Sequence, residues 1–425
     1  MANDIKYSNK QGIACSVFPF GHSRHMFLAG EPETLYINFG DVPGQIRNLL
    51  ENVNKTCQEQ GFLEKTACIC HIFLEDIGLR ELVRQWAMEI CPNIFRAVTF
   101  VPQAPASGAA VAIEIWAITS ESPDFLCESD DDDYLNPDEE NPTRRHFVVA
   151  EFDEMRWCFC GGASPENSPA AKAYERSLCA FNRLEEILAD GGFSLDQLLR
   201  TWIYQGYLVL PEGETQRYKE LNRARTDFFT DTPFLQNNLP EDYDGVIYPA
   251  STGIGADDFD VVISAIAFDS VREDVIVIPL ENPNQTSAFE YGEEYSPQSP
   301  KFSRATAVAT EDTCLIFVSG TASITDSESQ HPDDVAKQTE QTLDNIAGLV
   351  ADGNLTGHGI KGFASGLGNL ESVRVYAKRR EDLEAIREVC NRRLPNVPTI
   401  YTIADVCRPE LLVEIEGVVV AKKQQ

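Results

Sequence analysis

The run LLVEIEGVVV, residues 411–420, sets two carboxylates two positions apart in an otherwise apolar stretch. A strand sends alternate side chains to opposite faces, so Glu414 and Glu416 share one face, and Val413, Ile415 and Gly417 share the other. Burying a carboxylate without partners is costly. Burial and a neighbouring like charge both favour the protonated form, which makes such a pair a candidate general acid near neutral pH. The alternative is a satisfied pair at a seam between parts of the fold.

Other residue types could hold an anion. Arginine meets a planar carboxylate with paired donors. Arg225, Arg304 and Arg408 are candidates, together with Lys378, a point charge without the fork. Gly320, Thr321, Ala322 and Ser323 form a strand-end turn, where glycine admits close backbone approach and free N–H groups can cradle an anion. Tyr218, Tyr376 and Tyr401 could donate to ligand hydroxyls, and serve equally well as core aromatics whose hydroxyls are satisfied. Cys407 has no histidine near it in sequence, which disfavours a nucleophilic thiol.

Metal chemistry is weakly supported. Among six histidines only His22 and His25 approach a ligand spacing. Cys68 with Cys70, and Cys158 with Cys160, are C-x-C pairs inside apolar strands, better explained as buried small residues. No G-x-G-x-x-G follows a strand and no Walker loop occurs, so no nucleotide cofactor is expected. Lysine and arginine total 35 against 67 acidic residues, a formal net charge of −32. That excludes broad phosphate-backbone binding and disfavours anionic lipid, while leaving room for a small anionic substrate in a locally basic pocket. No apolar run is long enough to span a membrane, and the first residues lack a signal-peptide pattern. Twelve cysteines outside any framework spacing read as reduced thiols in a cytoplasmic protein.

The elements that must position these residues repeat three times. HMFLAG, RWCFCGG and CLIFVSG are apolar strands ending at glycine, each followed by an amphipathic helix. Gln45 with Asn52, Glu175 with Asn182, and Gln338 with Asn345 are each two helical turns apart and define one face. A strand, a second helix and a strand pair complete each copy. This order predicts an α/β (α+β) unit, a mixed sheet with two helices on one face, at 1–122, 143–270 and 271–425. Residues 123–142, with their acidic run ESDDDDYLNPDEEN, read as a solvated linker. The second junction, residues 281–305, is rich in tyrosine and phenylalanine and is expected to lie across a neighbouring unit. On this repeat, Glu114 occupies the place of Glu414 in the first unit and Val262 in the second, so the fold itself does not demand the carboxylate.

The repeated unit resembles the RidA or YjgF family of reactive-intermediate deaminases, short chains that assemble as trimers with ligand sites between subunits. Three units in one chain resemble a covalent pseudo-trimer, which would be monomeric. Residues 200–229, YPASTGIGA, QTSAFEYGEEYSPQSPKFSRA, VSGTASITDSESQHPDDVAKQTEQTLDNI and YTIADVCRPELLVEIEG resemble, in order, segments of the chorismatase family. The resemblance implies a fold of RidA-like units and cleavage of the enolpyruvyl ether of chorismate to pyruvate and a hydroxybenzoate or a dihydroxycyclohexadiene carboxylate. It implies that Glu414 is the catalytic acid, that the basic, tyrosine and turn residues named above contact substrate, and that Gly320 with Cys407 marks the hydroxybenzoate-forming subtype. The rivals are an imine deaminase and a non-catalytic binding protein. The deaminase family's arginine after its Phe-Pro-Ala turn falls on Thr399, Ser251 and near Val98, and is missing from all three units. Glu414, Arg304 and Arg408 in one cleft would favour the first reading, an arginine reaching Glu114 the second, and a filled pocket the third.

Overall fold

The computed structural model describes residues 5–62, 66–92, 94–122, 124–129, 146–165, 172–240, 243–292 and 298–424. The acidic run from 130 to 141 and Tyr295 of the second junction lie outside them.

Three sheets carry the architecture. The first is built from β1 (Lys6–Lys10), β2 (Ile13–Phe20), β3 (Ser23–Gly30), β4 (Thr66–Leu74), β5 (Val98–Val101) and β6 (Val111–Thr119), in the order β1-β2-β3-β6-β4-β5. The second holds β7 (Leu126–Ser129), β8 (Phe147–Phe152), β9 (Met155–Ala163), β10 (Leu198–Gly206), β13 (Ala250–Ala256) and β14 (Val261–Ser270), in the order β7-β8-β9-β14-β10-β13. The ribbon of β11 (Pro211–Glu212) and β12 (Thr215–Gln216) leaves it. The third holds β15 (Ile276–Leu280), β16 (Ala305–Ala309), β17 (Thr313–Ala322), β21 (Leu370–Ala377), β22 (Thr399–Ile403) and β23 (Val413–Lys423), in the order β15-β16-β17-β23-β21-β22. A ribbon of β18 (Ile324–Thr325) and β19 (Glu328–Ser329) follows β17, and β20 (Phe363–Ala364) pairs with the end of β23. In all three sheets the same relative strand closes against the third and fourth, and one parallel pair sits at the far edge.

Besides the short ribbons, each main sheet has two more strands than the sequence pattern predicts, an opening antiparallel pair (β1-β2, β7-β8, β15-β16). The first of each pair lies at a sheet edge, and all but β2 are six residues or shorter. One of them, β7, falls inside 123–142, so part of the expected linker pairs with β8.

After a short helix, α1 (Thr34–Phe39), the long helix of the first copy is α2 (Val42–Gln60). Asp41 caps it by accepting from Gly44 N at 3.1 Å, and Gly61 ends it at φ 78°. With α3 (Arg80–Ile90) it covers one face of the first sheet. The pair α4 (Ala173–Asp190) and α5 (Arg217–Phe228) covers the second. The pair α6 (Val335–Leu349) and α8 (Leu383–Arg393), with the short α7 (Asp352–Gly357) beside them, covers the third.

Register corrects one expectation. Gln45 and Gln338 fill equivalent places: Gln45 Oε1 accepts from Ala110 N at 2.8 Å and Gln338 Oε1 from Leu412 N at 2.7 Å. In α4 that place belongs to Arg176, which ion-pairs Asp260, and Glu175 and Asn182 are exposed. The seven-residue spacing is real in the second copy but begins one residue later.

The faces away from the helices meet one another. Phe27, Phe73 and Trp116 of the first sheet join Trp157, Phe159 and Phe268 of the second and Phe317, Tyr376 and Val418 of the third in one buried cluster. Among the described residues, no helix is long and apolar enough to cross a membrane.

Candidate active site

Strand β23 alternates as its sequence requires. Val413, Ile415, Val419 and Ala421 pack toward the helices, while Val418 and Val420 join the common core. Glu414 and Glu416 therefore point inward and are 5% and 4% exposed, yet their surroundings differ.

Glu416 is enclosed by donors. It accepts from Arg200 Nη2 at 2.6 Å, Trp202 Nε1 at 2.7 Å and the Tyr376 hydroxyl at 3.2 Å, as well as from the Thr252 hydroxyl, and Arg374 Nη1 lies 3.1 Å away. Arg374 reaches on to Glu114 at 2.9 Å and to the Tyr204 hydroxyl at 2.6 Å. On the third side His71 meets Ser264 at 2.6 Å. Each copy thus sends a polar group across a seam to the last strand of the next: His71 to Ser264, Arg200 to Glu416, Arg374 to Glu114. Cα pairing gives the same equivalence for the receiving strands, with His71 opposite Glu114, Trp202 opposite Ser264 and Arg374 opposite Glu416. Trp202, which also donates to Glu416, holds the place of His71 and Arg374 in the second copy. Glu114 is therefore the counterpart of Glu416. The place of Glu414 falls to Val262 in the second copy, as expected, and to Ala112 in the first. Two residues of displacement keep the same face of a strand, so alternation alone could not separate these registers.

Glu414 has no such enclosure. Among the described residues none donates a hydrogen bond to it, and its carboxyl lines a cavity of about 490 Å³. Burial first, and the neighbouring Glu416 second, push its carboxyl up to about 8 against the partial opposition of Arg200 and Arg304. Gly320 makes the space: a Cβ there would stand 2.0 Å from Glu414 Oε1. The Gly320 N–H is turned away to the Thr252 hydroxyl at 2.8 Å, so it does not face a ligand.

The cavity lies at the seam between the second and third sheets. Of the expected residues, Gly320, Ala322, Tyr218, Arg304, Cys407 and Arg408 line it with Glu414. Arg304 donates to the Tyr291 hydroxyl at 2.6 Å and to Thr286 O at 2.8 Å, and its Nε is buried without a partner. Arg408 donates to Ser327 O at 2.9 Å. Guanidinium groups and rings interleave along this wall: Tyr291 lies between Arg304 and Arg408, and Phe302 between Arg225 and Arg304, at 5.5–5.7 Å. Burial pushes the Cys407 thiol up to about 12, so it is a neutral wall group.

Other expected residues lie elsewhere. Arg225 sits behind the wall and bonds Asn222 Oδ1 at 2.7 Å and Ser251 Oγ at 3.3 Å, both of which face the cavity. Thr321 turns back to Ser319 O. Tyr376 belongs to the Glu416 enclosure. Lys378 donates to Pro409 O at 2.7 Å, bracing the loop of Cys407 and Arg408 from outside. Tyr401 lines a different cavity.

Sequence reasoning left out Asn222, Ser251, Tyr291, Phe302 and Ser329 as site residues. The aromatic character of the junction was the available signal for two of them. That junction does cross onto the second sheet: Ser303 bridges to Ala250, and Phe289 packs on Tyr248 at 5.6 Å.

Glu414, Arg304 and Arg408 share one cleft. An arginine does reach Glu114, but Arg374 does so inside the core ring, and neither lines either of the two large cavities. The cleft is open.

Curated proteins resemble much of this chain. A 3-hydroxybenzoate synthase of Streptomyces hygroscopicus is 34% identical over 267 residues, 61% of this chain and 73% of that protein. A chorismatase of Streptomyces rapamycinicus is 34% identical over 237 residues, 54% of this chain and 66% of that protein. The chain belongs to the chorismatase family. A chorismatase crystal structure superposes with a TM-score of 0.57 at 25% identity, covering 76% of this chain and 86% of that one. No protein-family model matches the chain. Among the described residues, no group of three or more histidine, cysteine, aspartate or glutamate side chains is placed to hold a metal ion.

Proposed function

We propose that this chorismatase cleaves the enolpyruvyl ether of chorismate at the seam cavity, with Glu414 as general acid. The observation that carries the reading is the contrast between two adjacent buried carboxylates, one saturated with donors and the other without any among the described residues, facing open space with its proton retained near neutral pH.

Chorismate is a dianion. Arg304 and Arg408 give its carboxylates a cationic wall, and Tyr291 and Phe302 give the ring an aromatic one. Protonation of the terminal methylene by Glu414 turns the enol ether into an oxocarbenium-like species. Displacement at the ether-bearing ring carbon by the neighbouring ring hydroxyl then breaks the ring C–O bond and releases pyruvate, the hydroxyl proton replacing the one Glu414 gave. The ring epoxide so formed opens and its ring C–H proton moves to the oxygen, so the atoms of chorismate divide between pyruvate and a hydroxybenzoate with no water consumed. Attack by water would give a dihydroxycyclohexadiene carboxylate instead. The hydroxybenzoate outcome is preferred because, of the two curated relatives described, the 3-hydroxybenzoate synthase covers the larger share of this chain. Glu416 stays ion-paired and tunes Glu414 from behind.

The test is pyruvate release from chorismate by the purified protein and by Glu414→Gln, with the aromatic product identified by chromatography. Release by the wild type and a loss of about 10²–10⁴-fold in the variant is the expected result, the size of a general-acid contribution. Absence of pyruvate at high wild-type concentration would refute the reading. So would undiminished release by the variant.

A further inference from the structure

A second cavity, about 860 Å³, opens at the seam between the third and first sheets and shares no lining residue with the first. The repeat makes it the counterpart of the active cavity. Trp202 and Arg374 occupy equivalent places opposite Ser264 and Glu416. Their parallel partners are Thr252 and Ile400, so Ser251 corresponds to Thr399 and Gly253 to Tyr401. Helices α5 and α8 bury Leu221, Ala224 and Arg225 in one and Ile386, Val389 and Cys390 in the other. That spacing aligns Asn222 with Arg387. Ser251, Gly253 and Asn222 line the first cavity; Thr399, Tyr401 and Arg387 line the second.

The remaining seam is shut. A Cβ on Gly161 would meet the Ala97 carbonyl carbon at 2.4 Å, and Gly162 N donates to the Thr99 hydroxyl at 3.0 Å. At the second cavity Ile400 stands where Thr99 and Thr252 stand elsewhere, so no hydroxyl ties the opposite strand end.

We infer that the second cavity is a ligand site for a small monocarboxylate that also carries a proton donor, either a hydroxyl or an ammonium group. Arg387 lies over the Tyr401 ring, 4.9 Å from its centroid. Among the described residues no acceptor hydrogen-bonds it, so its paired donors are available to a carboxylate. Across the cavity stands Glu31, whose carboxyl interacts with both Arg387 and Ser107. Glu33, which accepts from Asn48 and Asn52, adds a second carboxyl to the lining, so one cation faces two carboxyls. This set selects a ligand carrying both a carboxylate and a proton donor and disfavours a dianion, which distinguishes this site from the first.

The full-length protein is titrated by calorimetry with 3-hydroxybenzoate, the hydroxyl-bearing probe, and with L-phenylalanine, the ammonium-bearing one. Titrations are repeated on Arg408→Met, in which the first cavity is weakened. At least one probe is expected to bind Arg408→Met, and the double variant with Arg387→Met should bind it at least about tenfold more weakly, the loss of a charge-assisted pair. Arg387→Lys should restore part of the affinity, and Glu31→Gln should weaken whichever probe binds. Arg387 is half-exposed, so these changes leave the core untouched. No binding of either probe to Arg408→Met up to about 10 mM, or binding indifferent to Arg387→Met, overturns the inference.

Discussion

At residue scale the decisive property is the difference between Glu414 and Glu416, two positions apart on one strand. A general acid must be protonated to act. With the Glu414 carboxyl pushed up to about 8, kcat/KM for pyruvate release is expected to hold below that pH and fall above it. A pH profile with an alkaline limb near 8 checks this. The same displacement affects stability. The ordinary value is 4.5, so between 4.5 and about 8 the folded protein keeps a proton that the unfolded chain has released. Its contribution to stability is complete below 4.5 and is lost as pH rises through 8. Glu414→Gln removes that loss. Its Tm should match the wild type at pH 4.5 and exceed it increasingly up to pH 9. Gly320→Ala tests the space around the acid, since the added methyl would displace Glu414 Oε1. Misplacement of a reacting group by about 1 Å costs roughly 10²-fold. A drop of that order in kcat with a retained far-ultraviolet circular dichroism spectrum is expected.

At element scale, much of the site was legible because strands enforce alternation and the repeat enforces order. Alternation put Glu414 on an inward face, the chorismatase-like segments singled out Arg304, Cys407 and Arg408, which line the same cavity, and the repeat gave the three long strand–helix pairs and the crossing of the second junction. What stayed hidden was register. Period two cannot tell Glu114 as the partner of Glu414 from Glu114 as the partner of Glu416, and period seven cannot tell Glu175 from Arg176. Tertiary pairing decides: the seam partners are 193–260 residues apart, and Arg176 meets Asp260 from 84 residues away. The opening pairs were hidden for another reason: β1, β7 and β15 are edge strands of five residues or fewer, too short to show a clear period of two. Register also sets the energetics. Arg200 and Glu416 are nearly fully buried, at 1% and 4% side-chain exposure. Removing one partner strands the other's charge, typically about 3–5 kcal/mol. Glu416→Ala should lose stability on that scale in urea, whereas Glu416→Gln, which keeps an acceptor for Trp202, should lose less. A similar loss in both would mean that the charge contributes little.

At the scale of the whole molecule, the three sheets share a core, so they should not unfold one at a time. Trp116 of the first sheet stands at 5.4 Å from Trp157 and 4.8 Å from Phe159 of the second, and at 5.5 Å from Phe317 of the third. Its indole N–H also approaches His25 at 3.3 Å. A side chain that touches all three sheets couples their stabilities, because a cavity left there removes contacts from each at once. Trp116→Ala should therefore cost about 3–5 kcal/mol, and the loss should be felt by the entire chain and not by the first 122 residues alone. Calorimetry of the wild type should give one transition, and the variant one transition at lower temperature. The active cavity is the sharper reporter. It lies at the seam of the second and third sheets, and Trp116 lines neither large cavity. If the sheets were independent modules, Trp116→Ala would split the thermogram and pyruvate release would survive the first transition. With a shared core, activity and heat absorption should disappear together, because the sheet that contributes no wall to the active cavity still holds the walls of that cavity in place.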